Sequence, residues 1–378
     1  MTKNIVALMI GLILAAFTSE MILQILNIPP RPVSGWKNCS KKNPGECNSM
    51  GFRGREITYS PDDFVVLLVG DSELYAHAIP YEKMSEKRLQ HYLKNYISKV
   101  KVFTIGDMGY GQDQQYLALR EYYKKFRADL VLLQFTERND VEDNMFPVAG
   151  WNNTIKPTFW LENGELKGPT QGLLEPIGSR LKLVLLWQLH IAKIFGGESY
   201  LKKWAKEKLP PPYQPQRYYR GKVDYSWQEE WLADPKIERR NLIYEREGPS
   251  NMYIPRSKRR EYGYELTRRL LFKIKKLVET HNGQFIIYKE ERPWELQDMK
   301  MEKAFFYKGK YYRVSMKQYD ENMKELFEGF EHYKIPLNME DVTVAGRDEH
   351  LSSEAIDKLM RNLAVIVSKK SYFNETRK

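Results

Sequence analysis

The chain has 378 residues, enough for one large domain or two modest ones, and its 42% hydrophobic and 13% aromatic content excludes wholesale disorder. A formal net charge of +11 points to acidic neighbours such as anionic headgroups or acidic glycans. Nucleic acid is the least supported partner, because the sequence has no helix-turn-helix, RNA-recognition or paired Cys/His zinc pattern.

The first element is apolar. Ile5 to Phe17 follow Lys3 almost without a polar residue; Thr18, Ser19 and Glu20 interrupt, and Met21 to Ile28 resume before Pro29-Pro30. At about 1.5 Å per residue, a helix of this length crosses a bilayer. Ala15-Ala16-Phe17 is a poor match to a small-x-small cleavage site, so residues 1–28 read as an uncleaved signal anchor. Lys3 ahead of the span places the body outside the cytoplasm, in the periplasm or at the cell surface. Residues 29–60 are rich in Pro, Gly and Asn and form a lead-in. Cys39 and Cys47 flank a Pro-Gly turn there, which predicts a disulfide in an oxidising compartment, with two free thiols as the alternative.

The body then alternates. Phe64–Val69 is a β-branched and leucine-rich run of the kind buried on both faces of a parallel sheet. Tyr81–Val100 reads as a surface helix, Val100–Ile105 as a strand, Asp113–Phe126 as a helix and Leu130–Phe135 as a third strand. The pattern returns with a helix over Tyr262–His281, a strand over Gln284–Tyr288, a helix over Met316–His332, a short strand over Tyr333–Leu337 and a closing helix over Ser352–Ser368. Such alternation predicts a three-layer α/β/α sandwich on a parallel sheet, with reactive groups on the loops leaving the strand carboxyl ends. Residues 145–260 break the alternation. They carry the apolar run Leu181–Trp187, the break Pro210-Pro211-Pro212 and a Tyr-, Trp-, Arg- and Lys-rich stretch near Tyr213–Tyr225. They are expected to form an inserted, lid-like cap between the two parts of the main domain, 61–144 and 261–370.

Four motifs fall on those loops. Gly70-Asp71-Ser72 follows the first strand, where a serine sits at a positive helix end; by itself it is also an ordinary helix cap. Leu74 rules out the Gly-x-Ser-x-Gly elbow. Gly106-Asp-Met-Gly109-Tyr-Gly111 follows the second strand, and its glycines would let a backbone N–H approach a reacting oxygen, or simply make a tight turn. Asn139 follows the third strand and has a side-chain amide suited to an oxyanion, or to an Asn-Asp turn. Asp348-Glu349-His350 precedes the last helix, and a carboxylate near a histidine can orient its ring. The other histidines fall mostly in helical or polar surface contexts.

Read together, the four resemble the SGNH (GDSL) hydrolase superfamily, whose blocks carry Ser, Gly, Asn and His in this order. The matching stretches are "VVLLVGDSE" with Ser72, "VFTIGDMGYGQDQQ" with Gly109, "LVLLQFTERNDVEDN" with Asn139 and "GRDEHLSSEA" with His350. "NSMGFRGRE" is similar to the lead-in of anchored members, and the resemblance covers residues 48–145 and 262–368 but not the insert. Two departures stand out: Arg347 occupies the place three residues before the histidine where many members have Asp, and the third block reads Glu-Arg-Asn-Asp.

The resemblance implies a flavodoxin-like parallel sheet and an esterase. Ser72 would be the nucleophile, His350 its base and Asp348 the acid, with Ser72, Gly109 and Asn139 holding the oxyanion. It implies neither metal nor cofactor. The expected substrate is an acylated, acetylated above all, cell-envelope glycan or lipid ester. An O-acyltransferase using the same triad and a non-catalytic assembly protein on the same scaffold are the alternatives.

Overall fold

The run from Phe64 to Gly70 forms a strand with every side chain buried, so it needs cover on both faces. The computed structural model, which describes residues 2–26, 39, 45–147, 156–170, 181–186, 200–211, 253–292, 303–307, 310–314, 316–337, 342–344 and 350–370, supplies that cover as two helical layers. In chain order the first half contains α1 (Thr2–Leu26), β1 (Phe64–Gly70), α2 (Ser72–Tyr75), α3 (Ser85–Leu93), β2 (Val100–Gly106), α4 (Gln112–Tyr122), β3 (Leu130–Gln134) and α5 (Asp140–Met145). Next come β4 (Thr158–Glu162), β5 (Glu165–Thr170), α6 (Lys182–Leu186), α7 (Tyr200–Lys208) and β6 (Tyr253–Ile254). The rest are α8 (Lys258–Thr280), β7 (Gln284–Glu291), β8 (Lys303–Tyr307), β9 (Lys310–Val314), α9 (Met316–Leu326), β10 (His332–Pro336) and α10 (Ser353–Ser368).

The main sheet has five strands in the order β10-β7-β3-β1-β2, and every neighbouring pair is parallel. Counted within the sheet alone, this is the flavodoxin-like order 2-1-3-4-5. Side-chain alternation sorts the core. Val65, Leu67, Val69, Val131 and Leu133 face the layer built from α4, α8 and α9. Val66, Leu68, Leu130 and Leu132 face α3 and α10. Each such side chain contributes about 1.5–3 kcal/mol by leaving water. Serine caps start the two long helices: Ser257 Oγ accepts from the Arg260 N–H at 3.1 Å and Ser352 Oγ from the Ala355 N–H at 3.1 Å.

Besides the helix expected over Met316–His332, which ends at Leu326 with His332 opening β10, the elements differ from the sequence expectation in three places. The stretch expected as one helix over Tyr81–Val100 is a 3₁₀ turn, Tyr81–Lys83, followed by the nine-residue α3. The chain leaves the helix after Leu93 and drops Ile97 into the core before β2 begins. Inside the region read as an insert, β4 and β5 form an antiparallel hairpin through Asn163 (φ 53°) and Gly164 (φ 77°). Positive φ at both turn residues is what an Asn-Gly hairpin turn requires. The third difference is a small antiparallel sheet, β6-β9-β8, where no strands were expected.

Helix α1 has a 23-residue stretch, Asn4–Leu26, long and apolar enough to cross a membrane. Its interrupting acid has a use: the two Glu20 carboxylate oxygens accept the Lys182 and Leu183 N–H groups at 2.8 Å each, capping α6. Cys39 and Cys47 are joined by a disulfide with a Cα–Cα separation of 5.7 Å.

Candidate active site

Three of the four motifs sit at the carboxyl ends of β1, β2 and β3, which lie side by side in the sheet. Ser72 is half-buried and opens α2, with Asp71 alone between it and the last residue of β1. Asp71 caps that turn. It is fully buried and accepts three hydrogen bonds: the Glu73 N–H at 3.0 Å, the Thr136 hydroxyl at 3.0 Å and the Asn139 amide at 3.1 Å. Burial pushes its carboxyl above the ordinary carboxylate range, while these donors and the neighbouring His350 pull the other way.

Asn139 stands half-buried just ahead of α5. Its amide nitrogen donates to Asp71 and, at 2.8 Å, to Asp143 one helical turn on, so both amide hydrogens meet a carboxylate. The side chain is therefore aimed by two acids. Gly109 follows β2 in the left-handed region, at φ 70°, where a side chain would be strained. The preceding Asp107 carboxylate accepts the Met108 N–H at 2.8 Å and so fixes the turn.

His350 comes from the far end of the chain. It is half-buried, its ring packs edge-on against His77 with centroids 5.3 Å apart, and the N–H of the next residue, Leu351, donates to Glu73 at 3.0 Å. Two hydrogen bonds pin its backbone neighbourhood to residues 342–344: Val344 N–H to the His350 carbonyl at 2.9 Å and Ser352 N–H to the Val342 carbonyl at 2.8 Å. His350 thus lies beside the Ser72 turn. Asp348, the expected acid, falls outside the described residues.

Sequence reasoning missed several neighbours. His77, taken as one of the surface histidines, is exposed but packs edge-on against His350. Glu73 occupies a place that looks like an exposed helix position and is instead buried, with its carboxylate 2.5 Å from Arg292. Arg292 also holds Glu290 at 2.7 Å; the Gln134 amide donates to Glu290 at 3.1 Å and accepts from the Tyr288 hydroxyl at 3.3 Å. Burial opposes ionisation of Glu290, yet Arg292 and Gln134 outweigh it and hold that carboxyl below its ordinary value. The only signal available was alternation failure: charged residues continuing past the apolar part of the β7 strand, at Lys289, Glu290 and Arg292.

Asp140, at the start of α5, is fully buried. Burial and the charge of Asp71 push its carboxyl well above the carboxylate range, although the Thr136 N–H at 2.9 Å and the Gln112 amide at 2.7 Å both donate to its Oδ2. Among the described residues no group of three or more His, Cys, Asp or Glu side chains is placed to hold a metal.

No protein-family model and no curated protein sequence matches the chain. Among solved structures it is similar to TesA, at 8% identity over 81% of this chain and 98% of that one, with a TM-score of 0.37. It is similar to the psychrotrophic esterase EstA from Pseudoalteromonas sp., inhibited by monoethylphosphonate, at 9% identity over 82% and 100% of the two chains, with a TM-score of 0.35. A carbohydrate esterase whose active site displays divergent catalytic and non-catalytic binding functions is 10% identical over 83% of this chain and 70% of that one, with a TM-score of 0.34.

Proposed function

We propose that the chain is a serine esterase of the SGNH type that cleaves acyl esters, acetyl esters above all, of a cell-envelope glycan or lipid. The observation that carries this reading is the meeting of Ser72, Gly109 and Asn139 on three adjacent strand ends, with His350 brought beside them from the chain's last quarter. In the proposed reaction His350 takes the Ser72 hydroxyl proton as Oγ attacks the ester carbonyl carbon. The tetrahedral oxyanion accepts from the backbone N–H groups of Ser72 and Gly109 and from the Asn139 amide, which turns one hydrogen away from Asp71. Collapse expels the alcohol, which leaves with the proton held by His350. Water then attacks the acyl-enzyme, gives its proton to His350, and the acid departs as Ser72 regains its hydroxyl. Asp348 is the proposed partner that orients the imidazole.

The proposed setting is extracytoplasmic, with α1 as the membrane anchor and residues 145–260 as a cap for the acyl-bearing substrate. The apolar length of α1 and the basic, aromatic composition of the insert support this placement. The deciding experiment is hydrolysis of p-nitrophenyl acetate by the full chain in detergent, wild type beside Ser72→Ala. Turnover that falls by about a thousandfold or more in the variant, with the melting temperature unchanged, is the expected outcome. Equal turnover in both proteins would remove Ser72 from the chemistry. A wild type that labels with a fluorophosphonate but turns over only when a sugar acceptor is supplied would be a transferase.

A further inference from the structure

Glu73 follows the proposed nucleophile directly, and its side chain is 1% exposed. An isolated buried carboxylate is costly, and such groups persist where specific partners hold them. The two oxygens of Glu73 go to different parts of the chain. Oε1 meets the buried Arg292 guanidinium at 2.5 Å, just beyond β7, with the half-buried Arg138 at 3.5 Å. Oε2 accepts the Leu351 N–H at 3.0 Å, and Leu351 is the residue next to His350.

We infer that Glu73 is a positioning residue for His350: its buried carboxylate, fixed by Arg292, ties the segment that carries the base to the turn that carries the nucleophile. This rests on the esterase reading only in calling His350 the base.

The geometry gives the tie direction and stiffness. Nucleophile and tether are adjacent residues of one turn, and the Glu73 N–H is itself fixed by Asp71, so any shift of α2 moves both together. Arg292 is braced in turn by Glu290, which also accepts from the Gln134 amide, and this anchors the tether to the ends of β7 and β3. On the other side, Leu351 forms an antiparallel bridge with Thr343, so the base is held on a short two-stranded corner rather than inside a long element. The Leu351 N–H is a backbone donor of that corner tied to the Ser72 turn by a side chain. Burial pushes the Glu73 carboxyl up and Arg292 draws it back, in keeping with a group that needs its partner.

The test uses the full chain in detergent as wild type, Glu73→Ala and Glu73→Gln, with hydrogen exchange of the peptide spanning 342–352 and p-nitrophenyl acetate kinetics. Glu73→Ala is expected to raise exchange in that peptide by about tenfold while peptides from β1 and β3 stay protected. It should lower kcat by about tenfold or more with KM nearly unchanged, because loss of alignment acts on the chemical step. In Glu73→Gln the single acceptor oxygen is expected to turn to Arg292 and leave the Leu351 N–H unpaired, so exchange and kcat should follow the Ala variant while the melting temperature stays closer to wild type. Unchanged exchange at 342–352, or an equal rise across all three peptides, would overturn the positioning role. If the wild type has no Ser72-dependent turnover, the esterase reading fails while the exchange result still decides the tie.

Discussion

Lys156 and Asp113 face each other at 2.5 Å with neither side chain exposed, whereas Asp71, beside Ser72, leans on three neutral donors. Both clusters are buried polar groups near the same strand ends, but the partners differ in kind. A buried charge paired with an opposite charge fixes two pieces of chain together, because separating them strands both. Here the pair fastens the entry to β4 onto the first turn of α4, and Arg260–Glu142 at 2.5 Å fastens α8 to α5 in the same way. A carboxylate held by neutral hydrogen bonds can let one donor go at a smaller penalty. The Asn139 amide is such a donor. One cluster is fastened by opposite charges, and the other is held by neutral hydrogen bonds alone.

The sharpest way to break this comparison is to remove one charge from the fastening cluster. Lys156→Met leaves Asp113 buried without its counter-ion and should cost about 3–5 kcal/mol, a fall on the order of 10 °C in melting temperature. Activity per folded molecule should change little. Adding Asp113→Leu should recover most of the loss, since a matched apolar pair removes the stranded charge. A single variant that melts within a degree of wild type would mean that the pair fastens nothing.

A second, smaller effect appears with pH. Burial pushes the Glu142 carboxyl up to about 7 from an ordinary 4.5, against the pull of Arg260. Its value in the fold lies above that in the unfolded chain, so folding favours the protonated form. The contribution is fully present below pH 4.5 and is lost as the pH rises through 7. The amount involved is on the order of 3 kcal/mol. Chemical denaturation at pH 5 and pH 8 checks this: Glu142→Gln should lose less stability between the two than wild type does. Other buried acids (Asp71, Asp113, Asp140) are pushed the same way, so only the difference between variant and wild type isolates Glu142. An equal pH slope in both proteins would place Glu142 among ordinary surface acids.

Much of this was legible in the residues, for reasons that differ between the two regions. The parallel sheet followed from runs such as Phe64–Val69, which have no polar face to offer water. The placement of Ser72, Gly109 and Asn139 followed from the strand ends. The β4–β5 hairpin was also legible, since Asn163-Gly164 is the strongest short hairpin signal, but it lay inside a stretch read only as an insert. The buried pairs were not. Nothing local distinguishes Lys156 or Glu73 from the many exposed charges of a chain with 60 Lys and Arg and 49 Asp and Glu residues, and Arg292 is marked only by the charges that follow the apolar part of β7. Lys156 meets Asp113 across 43 residues of sequence and Glu73 meets Arg292 across 219, pairings that only the fold brings together.

The smallest expected effect on stability bears most directly on the open cluster. Gly109 holds φ at 70°, so Gly109→Ala places a Cβ in the left-handed region at a cost of about 1–2 kcal/mol. If the loop is only a turn after β2, that strain should show in the melting temperature and nowhere else. If the Gly109 N–H is an oxyanion donor, relaxing the strain rotates the peptide and misaims the N–H. Turnover should then fall by about tenfold to a hundredfold, more than the loss of one or two kcal/mol of folding stability would take from a protein that remains folded. The fluorophosphonate labelling rate separates the two, because phosphonylation of Ser72 develops negative charge on an oxygen in the same place. Slow labelling in a protein that still melts cooperatively puts Gly109 in the chemistry, and wild-type labelling returns it to the turn.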